Sequence, residues 1–147
     1  MKKIWENIKL GLSMIVLGAL LLYIGTIVFM PEMTVKIFGF QPYQVYTESM
    51  EPEIMVNDVV VVGNFDIETA EVGEIITFYA DIDYNGTKEI VTHYIYSIDG
   101  EGEEATIRTN RYFEDPTQTV PDTWIIPAED VLGSYQFHIA YLGYLIG

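Results

Sequence analysis

The rhythm of apolar positions along this chain changes once, near residue 30. From Leu10 to Met30 no side chain carries a charge. Rising about 1.5 Å per residue as a helix, such a stretch reaches roughly 30 Å, the hydrocarbon thickness of a bilayer. The pattern predicts a transmembrane helix over 10–30. It outruns the roughly 7–15-residue apolar core of a cleaved signal peptide. It also closes on Val28-Phe29-Met30-Pro31, where small residues would be needed for cleavage. An uncleaved signal anchor is the expectation.

Beyond the anchor, helical periodicity stops and short runs rich in Val, Ile, Thr, Tyr and Phe take over, each bounded by turn residues. Predicted strands cover Val59–Val62, Glu74–Tyr79, Glu89–Ile98, Ala105–Phe113 and Val131–Ile139. Asn85-Gly86 predicts a type I′ hairpin turn, whose two central positions need φ > 0. Asp99-Gly100-Glu101-Gly102 predicts a second turn. Closely spaced strands with no amphipathic helix between them imply a mostly β ectodomain, a compact barrel-like sheet. Asn85-Gly86-Thr87 also matches a glycosylation sequon, but the turn accounts for the same residues. The domain plan is 1–9 cytoplasmic, 10–30 membrane anchor and 31–147 extracytoplasmic.

Charge adds an orientation. Lys2, Lys3 and Lys9 precede the apolar run, whereas Glu32 and a single nearby base, Lys36, follow it. The positive-inside rule leaves the N-terminus in the cytoplasm and sends the β-domain out as a single-pass membrane protein. The net charge of −15 opposes binding to phosphate backbones, so nucleic acid is not an expected partner. The chain has no cysteine, which excludes disulfides and thiol catalysis.

Three features could carry chemistry. Thr47-Glu48-Ser49-Met50-Glu51-Pro52 holds a serine in a proline-punctuated turn shortly beyond the membrane, though most serines in turns only satisfy backbone groups. His93 lies within the apolar strand, where β-branched neighbours would hold an imidazole rigid and partly desolvated, as suits a base working near neutral pH. His138 is the one other histidine. The loop from Glu114 to Asp122 offers Glu114, Asp115 and Asp122 as orienters of an imidazole. Serine, histidine and aspartate on separate segments is the arrangement that nucleophilic acyl transfer needs.

These residues resemble a known family. Ser49-Met50-Glu51-Pro52 is similar to the Ser-Met-x-Pro box of the type I signal peptidases. Asn57-Asp58-Val59-Val60 resembles their Gly-Asp-x-Val segment, and Val72-Gly73-Glu74-Ile75-Ile76-Thr77-Phe78 their Val-Gly-Asp-Ile-x-x-Phe strand. Val91-Thr92-His93-Tyr94-Ile95 is similar to the strand carrying His-Arg-Val. Pro121-Asp122-Thr123-Trp124, Val131-Leu132-Gly133 and Tyr141-Leu142-Gly143-Tyr144 resemble the later boxes, in order. A histidine in the base position points to the endoplasmic-reticulum-like, Ser-His branch. The nearest lysine, Lys88, stands five residues earlier in a turn.

The resemblance implies that Ser49 attacks the scissile carbonyl, His93 takes its proton and Asp122 orients the imidazole, with Asp115 an alternative from a shifted register. It implies an oxyanion hole from the Thr47 hydroxyl and the Ser49 N–H. It implies no metal or organic cofactor, and as substrates the signal peptides of exported preproteins at the bilayer surface. The chain departs from the family where Glu48 replaces a glycine, Tyr94 replaces an arginine and Thr109-Asn110-Arg111-Tyr112 lacks the Gly-Asp of a Thr-Lys-Gly-Asp box. It also stops at Gly147, where many relatives of the Ser-His branch continue into a second membrane helix, and the run from Ile139 to Gly147 is too short to span. Two other readings stand beside the peptidase. One is a catalytically impaired assembly factor for surface fibres or matrix proteins; the other is an acidic anchored β-domain with a structural role.

Overall fold

The structure, a computed structural model, describes residues 1–146. Helix α1 covers Lys2–Phe29 and buries none of its residues. It is long and apolar enough to cross a membrane, with a mean hydropathy of 2.4 in its most apolar window. It begins two turns before the uncharged run, taking in all three N-terminal lysines. Pro31 ends it: proline has no N–H to continue the ladder, and its ring clashes with the preceding turn.

The same proline opens α2, Pro31–Phe38, which the sequence reading misses. Proline at the first helical turn, Glu32 beside the positive helix end, Lys36 near the negative end and Gly39 in the left-handed cap (φ 83°) all favour this short helix. Its Val35 and Thr34 are buried. Tyr23 of α1 packs edge-on against Phe38, centroids 4.9 Å apart, and lies 5.4 Å from Phe40.

Seven strands follow: β1 Gln41–Gln44, β2 Val59–Gly63, β3 Ile75–Ala80, β4 Glu89–Asp99, β5 Thr106–Asn110, β6 Ile126–Pro127 and β7 Val131–Ile139. A last helix, α3, is Gly143–Ile146. The strands form one antiparallel sheet in the order β1-β2-β7-β3-β4-β5-β6, so the domain is mostly β as the pattern of apolar runs implies. Alternation along β3 assigns its residues to two faces. Ile75 joins Val35, Met50, Ile54, Val60 and Val62 in one core cluster. Ile76 and Phe78 join Ile95, Ile107 and Ile126 in the other. Both faces are covered, which is why β2 and β3 read as unbroken apolar runs rather than alternating ones.

Two sequence expectations are corrected. The β3–β4 ladder ends at Ala80 opposite Glu89, leaving residues 81–88 as a loop rather than a two-residue turn. Positive φ falls on Tyr84 and Gly86, not on Asn85. The Asp81 carboxylate accepts the N–H groups of Asn85 and Gly86 at 2.9 Å, so a side chain holds this loop where a tight turn would use backbone bonds. The strand expected over Ala105–Phe113 stops at Asn110, because the Tyr112 N–H turns away to the Ser49 carbonyl at 3.0 Å.

Glycine is required at two crossings. A Cβ on Gly133 of β7 would stand against the Gly63 carbonyl and 2.8 Å from Val62 Cγ2. A Cβ on Gly143 would lie 2.7 Å from the Asn57 carbonyl oxygen. At Gly143 the chain closes onto the base of the Ser49 loop, its N–H bonded to Asn57 at 2.8 Å. Buried Asp58 completes that closure, accepting Met55 N–H and Tyr141 N–H at 2.9 Å each.

Candidate active site

Ser49 sits in a single 3-10 turn, Glu48–Met50, within the loop joining β1 to β2. The loop is pinched at its base, where Val45 N–H bonds the Asp58 carbonyl and Asn57 N–H bonds the Val45 carbonyl, both at 2.9 Å. Inside it, Met50 and Ile54 are buried in the core, and the Met50 carbonyl accepts Glu53 and Ile54 N–H groups at 3.0 Å. Between the exposed Thr47-Glu48 and the buried Met50, Ser49 is half-buried, its Oγ 3.2 Å from Thr47 Oγ1. Glu48 is exposed, which keeps its charge in water.

His93 lies in the middle of β4, opposite Ile76, and is 4% exposed. Phe78 meets its ring edge-on at 6.4 Å, and Trp124 stacks with it at 6.2 Å and 29°. A ring packed in this way has one orientation. Its Nδ1 lies 2.7 Å from Asp122 Oδ2.

Asp122 is held by residue 109 twice. Its N–H bonds the Thr109 carbonyl at 2.7 Å, and its Oδ2 accepts the Thr109 hydroxyl at 2.7 Å. Trp124 Nε1–H in turn donates to Thr109 Oγ1 at 3.1 Å. Sequence reasoning keeps Thr109 only as the surviving threonine of a degraded box, and Trp124 only as part of a motif. A threonine two positions beyond Ile107 on β5 faces the same side as that core residue, and this was the signal that could have placed it near His93.

Asp115 goes elsewhere. Its carboxylate accepts the Thr117 N–H at 3.0 Å, the Thr117 hydroxyl at 2.7 Å and Gln118 Nε2 at 2.9 Å. These bonds hold its proton affinity below the ordinary aspartate range, the Thr117 hydroxyl contributing most. Among the described residues no hydrogen bond joins it to His93. His138, the other histidine, bonds Tyr135 through Nδ1 at 2.9 Å and has Nε2 3.7 Å from Asp58. Lys88 is taken up by Asp130 at 2.7 Å.

Ser49, Thr47 and His93 line one cavity of about 840 Å³. Trp124 forms part of its wall, and Ile27 of α1 and Pro31 of α2 extend it towards the apolar helix. Among the described residues no hydrogen bond joins Ser49 Oγ to His93, whose Nε2 is the ring nitrogen left free by Asp122. Catalytic hydrogen bonds are often loose until substrate is bound. Tyr43 and Tyr79 also line the cavity, and burial pushes both phenols up, so they stay neutral. Among the described residues no group of three or more histidine and carboxylate side chains gathers as a metal site.

Such an arrangement can take a proton from a serine, hold the resulting imidazolium against a carboxylate and return the proton to a leaving group. The family of signal peptidases, peptidase S26, is matched over residues 14–112. No individual curated protein matches the chain. The matched stretch covers about two thirds of the sequence and holds Ser49, His93 and Thr109 alike, and the chain accordingly belongs to the signal peptidase family, peptidase S26.

Proposed function

We propose that this protein is a membrane-anchored serine endopeptidase of the Ser-His kind, removing signal peptides from exported preproteins. The observation that carries the reading is the 2.7 Å contact of His93 with Asp122, beside a cavity that Ser49 and His93 line together. Ser49 Oγ attacks the scissile carbonyl while His93 Nε2 accepts the hydroxyl proton. The Ser49 N–H and the Thr47 hydroxyl receive the developing oxyanion, each such donor contributing about 100–1000-fold in rate. The imidazolium then protonates the leaving amine, the C–N bond breaks and the signal peptide remains as an acyl ester on Ser49. Water, deprotonated by the same nitrogen, hydrolyses the ester and restores the serine.

Asp122 keeps Nδ1 protonated throughout and so reserves Nε2 for these transfers. Metal and cofactor have no part in this scheme. Its substrate lies extended in the cavity, with the cut close to the membrane because Ile27 of α1 forms part of the wall. The N-terminus is cytoplasmic and the β-domain extracytoplasmic, as Lys2, Lys3 and Lys9 direct. Lys88, bound to Asp130 and half-exposed, is poorly placed to serve as the base of a Ser-Lys peptidase. An assembly factor without activity is the weaker reading, since it gives no use to a part-buried His–Asp pair.

The test is cleavage of a preprotein by the full chain in liposomes, with the N-terminus of the product sequenced. A single cut after the signal segment, absent with Ser49→Ala, is expected. Cleavage that survives Ser49→Ala, or no cleavage across several exported substrates, would refute the assignment.

A further inference from the structure

We infer that Thr109 is a positioning residue of this site: its hydroxyl, oriented by Trp124, locks Asp122 so that His93 carries its proton on Nδ1 and keeps Nε2 free for Ser49. The inference rests on the Ser-His reading above, and deepens it by assigning the group that sets the state of the base.

Proton bookkeeping leaves a single solution. Indole Nε1–H can only donate. At 3.1 Å from Thr109 Oγ1 it therefore fills an acceptor position of that hydroxyl. The Thr109 proton must point elsewhere, and Asp122 Oδ2, 2.7 Å away, is a carboxylate oxygen that can only accept. The hydroxyl rotor is thus fixed. The same Oδ2 lies 2.7 Å from His93 Nδ1, which must then be the protonated ring nitrogen. The direction runs Trp124 to Thr109 to Asp122, and from His93 to Asp122, so that the Thr109 hydroxyl and His93 Nδ1–H converge on one carboxylate oxygen. Thr109 is fully buried and His93 nearly so, and valine at 109 would fill the place of the hydroxyl without offering Asp122 a donor. In such surroundings a partly satisfied polar network is costly and loses its unique geometry.

The geometry also makes the test clean. Thr109 is not among the residues lining the cavity, so its side chain is not a substrate contact. Its main-chain bond to Asp122 does not involve the hydroxyl and is kept when the side chain is replaced. Thr109→Val deletes the hydroxyl at nearly constant volume. The expected result is a fall in kcat of about tenfold to a hundredfold, the usual range for a hydrogen bond to a charged group, with KM unchanged. Thr109→Ser restores kcat.

A second readout does not depend on turnover. The chain has only two histidines, so selective ¹⁵N-histidine NMR of the full chain in detergent gives two ring systems, with His138 as the internal reference. The wild type and Thr109→Ser are expected to show His93 as the Nδ1–H tautomer. Thr109→Val is expected to show a mixture, with unchanged His138 signals. Should valine destabilise the fold, alanine against serine at 109 makes the same comparison.

A Thr109→Val protein with wild-type kcat and a pure Nδ1–H tautomer would overturn the inference and leave Ser49 and His93 untouched. A wild type that cuts nothing would overturn the peptidase reading, and the histidine spectrum would still decide whether Thr109 sets the tautomer.

Discussion

Asp115 and Asp122 lie in one loop, yet their carboxylates have different tasks. Asp115 caps its own turn through Thr117 and Gln118, whereas Asp122 is drawn under His93 by the main-chain and hydroxyl groups of Thr109. Asp122→Asn leaves a side chain of the same shape that can no longer enforce the Nδ1–H tautomer. By the pattern of Ser-His-Asp sites it should lower kcat by up to about 10⁴-fold. Asp115→Asn should change cleavage less than about twofold, the loss being confined to an exposed turn. Steady-state kinetics on one preprotein checks both. From the sequence, Ser49 and His93 stand out by their motifs, but nothing in the spacing of the loop separates the two aspartates. That choice depends on which backbone N–H reaches β5, a long-range fact. Thr109 was hidden for the same reason: a buried threonine on a strand reads as packing until its hydroxyl has a partner.

At the scale of elements, the sheet is legible where a strand carries its own run of β-branched and aromatic residues. β2, β3, β4 and β7 emerge from their Val, Ile and Tyr runs within a residue or so of their ends. β1 and β6 do not, since Gln41-Pro42-Tyr43-Gln44 and Ile126-Pro127 are short, proline-bearing and defined by their neighbours alone. Proline is confined to such places because it lacks a donor for the ladder, and both strands stand at ends of the sheet order. The α2 helix carried its own signals in Pro31, Glu32, Lys36 and Gly39 but is too short to show a period. Gly133 and Gly143 are constraints that only the assembled sheet reveals. Gly133→Ala must push β7 off β2, because the atoms in its way include the Gly63 backbone carbonyl. It should cost about 1–3 kcal/mol in thermal or denaturant unfolding, the range for overpacking a core. Gly143→Ala should cost no more, and should loosen the closure on Asn57 that steadies the Ser49 loop.

Across the whole molecule, the apolar helix and the candidate site share one cavity wall. Ile27 and Pro31 line the cavity that holds Ser49 and His93, although α1 buries none of its residues fully. Removing residues 1–30 should therefore leave the sheet folded but reduce cleavage of a bilayer-inserted preprotein far more than cleavage of a short soluble peptide. Comparing the two substrates with the truncated and full chains checks this. In inside-out membrane vesicles the β-domain should resist added protease, and replacing Lys2, Lys3 and Lys9 by glutamate should expose a fraction of it. The apolar helix and the mostly β architecture behind it are plain in the sequence. How the helix end becomes a wall of the site is not, because it depends on Pro31 turning the chain back over the sheet.

In the proposed reaction an imidazole, not an amine, activates Ser49. The most direct measurement is the rate of preprotein cleavage in liposomes by His93→Ala beside Lys88→Ala, both against the wild type. His93→Ala is expected to lose about 10²–10⁴-fold or more. Lys88→Ala, which removes only a half-exposed ion pair with Asp130, should stay close to the wild type. Full activity in His93→Ala, with cleavage abolished in Lys88→Ala, would contradict it.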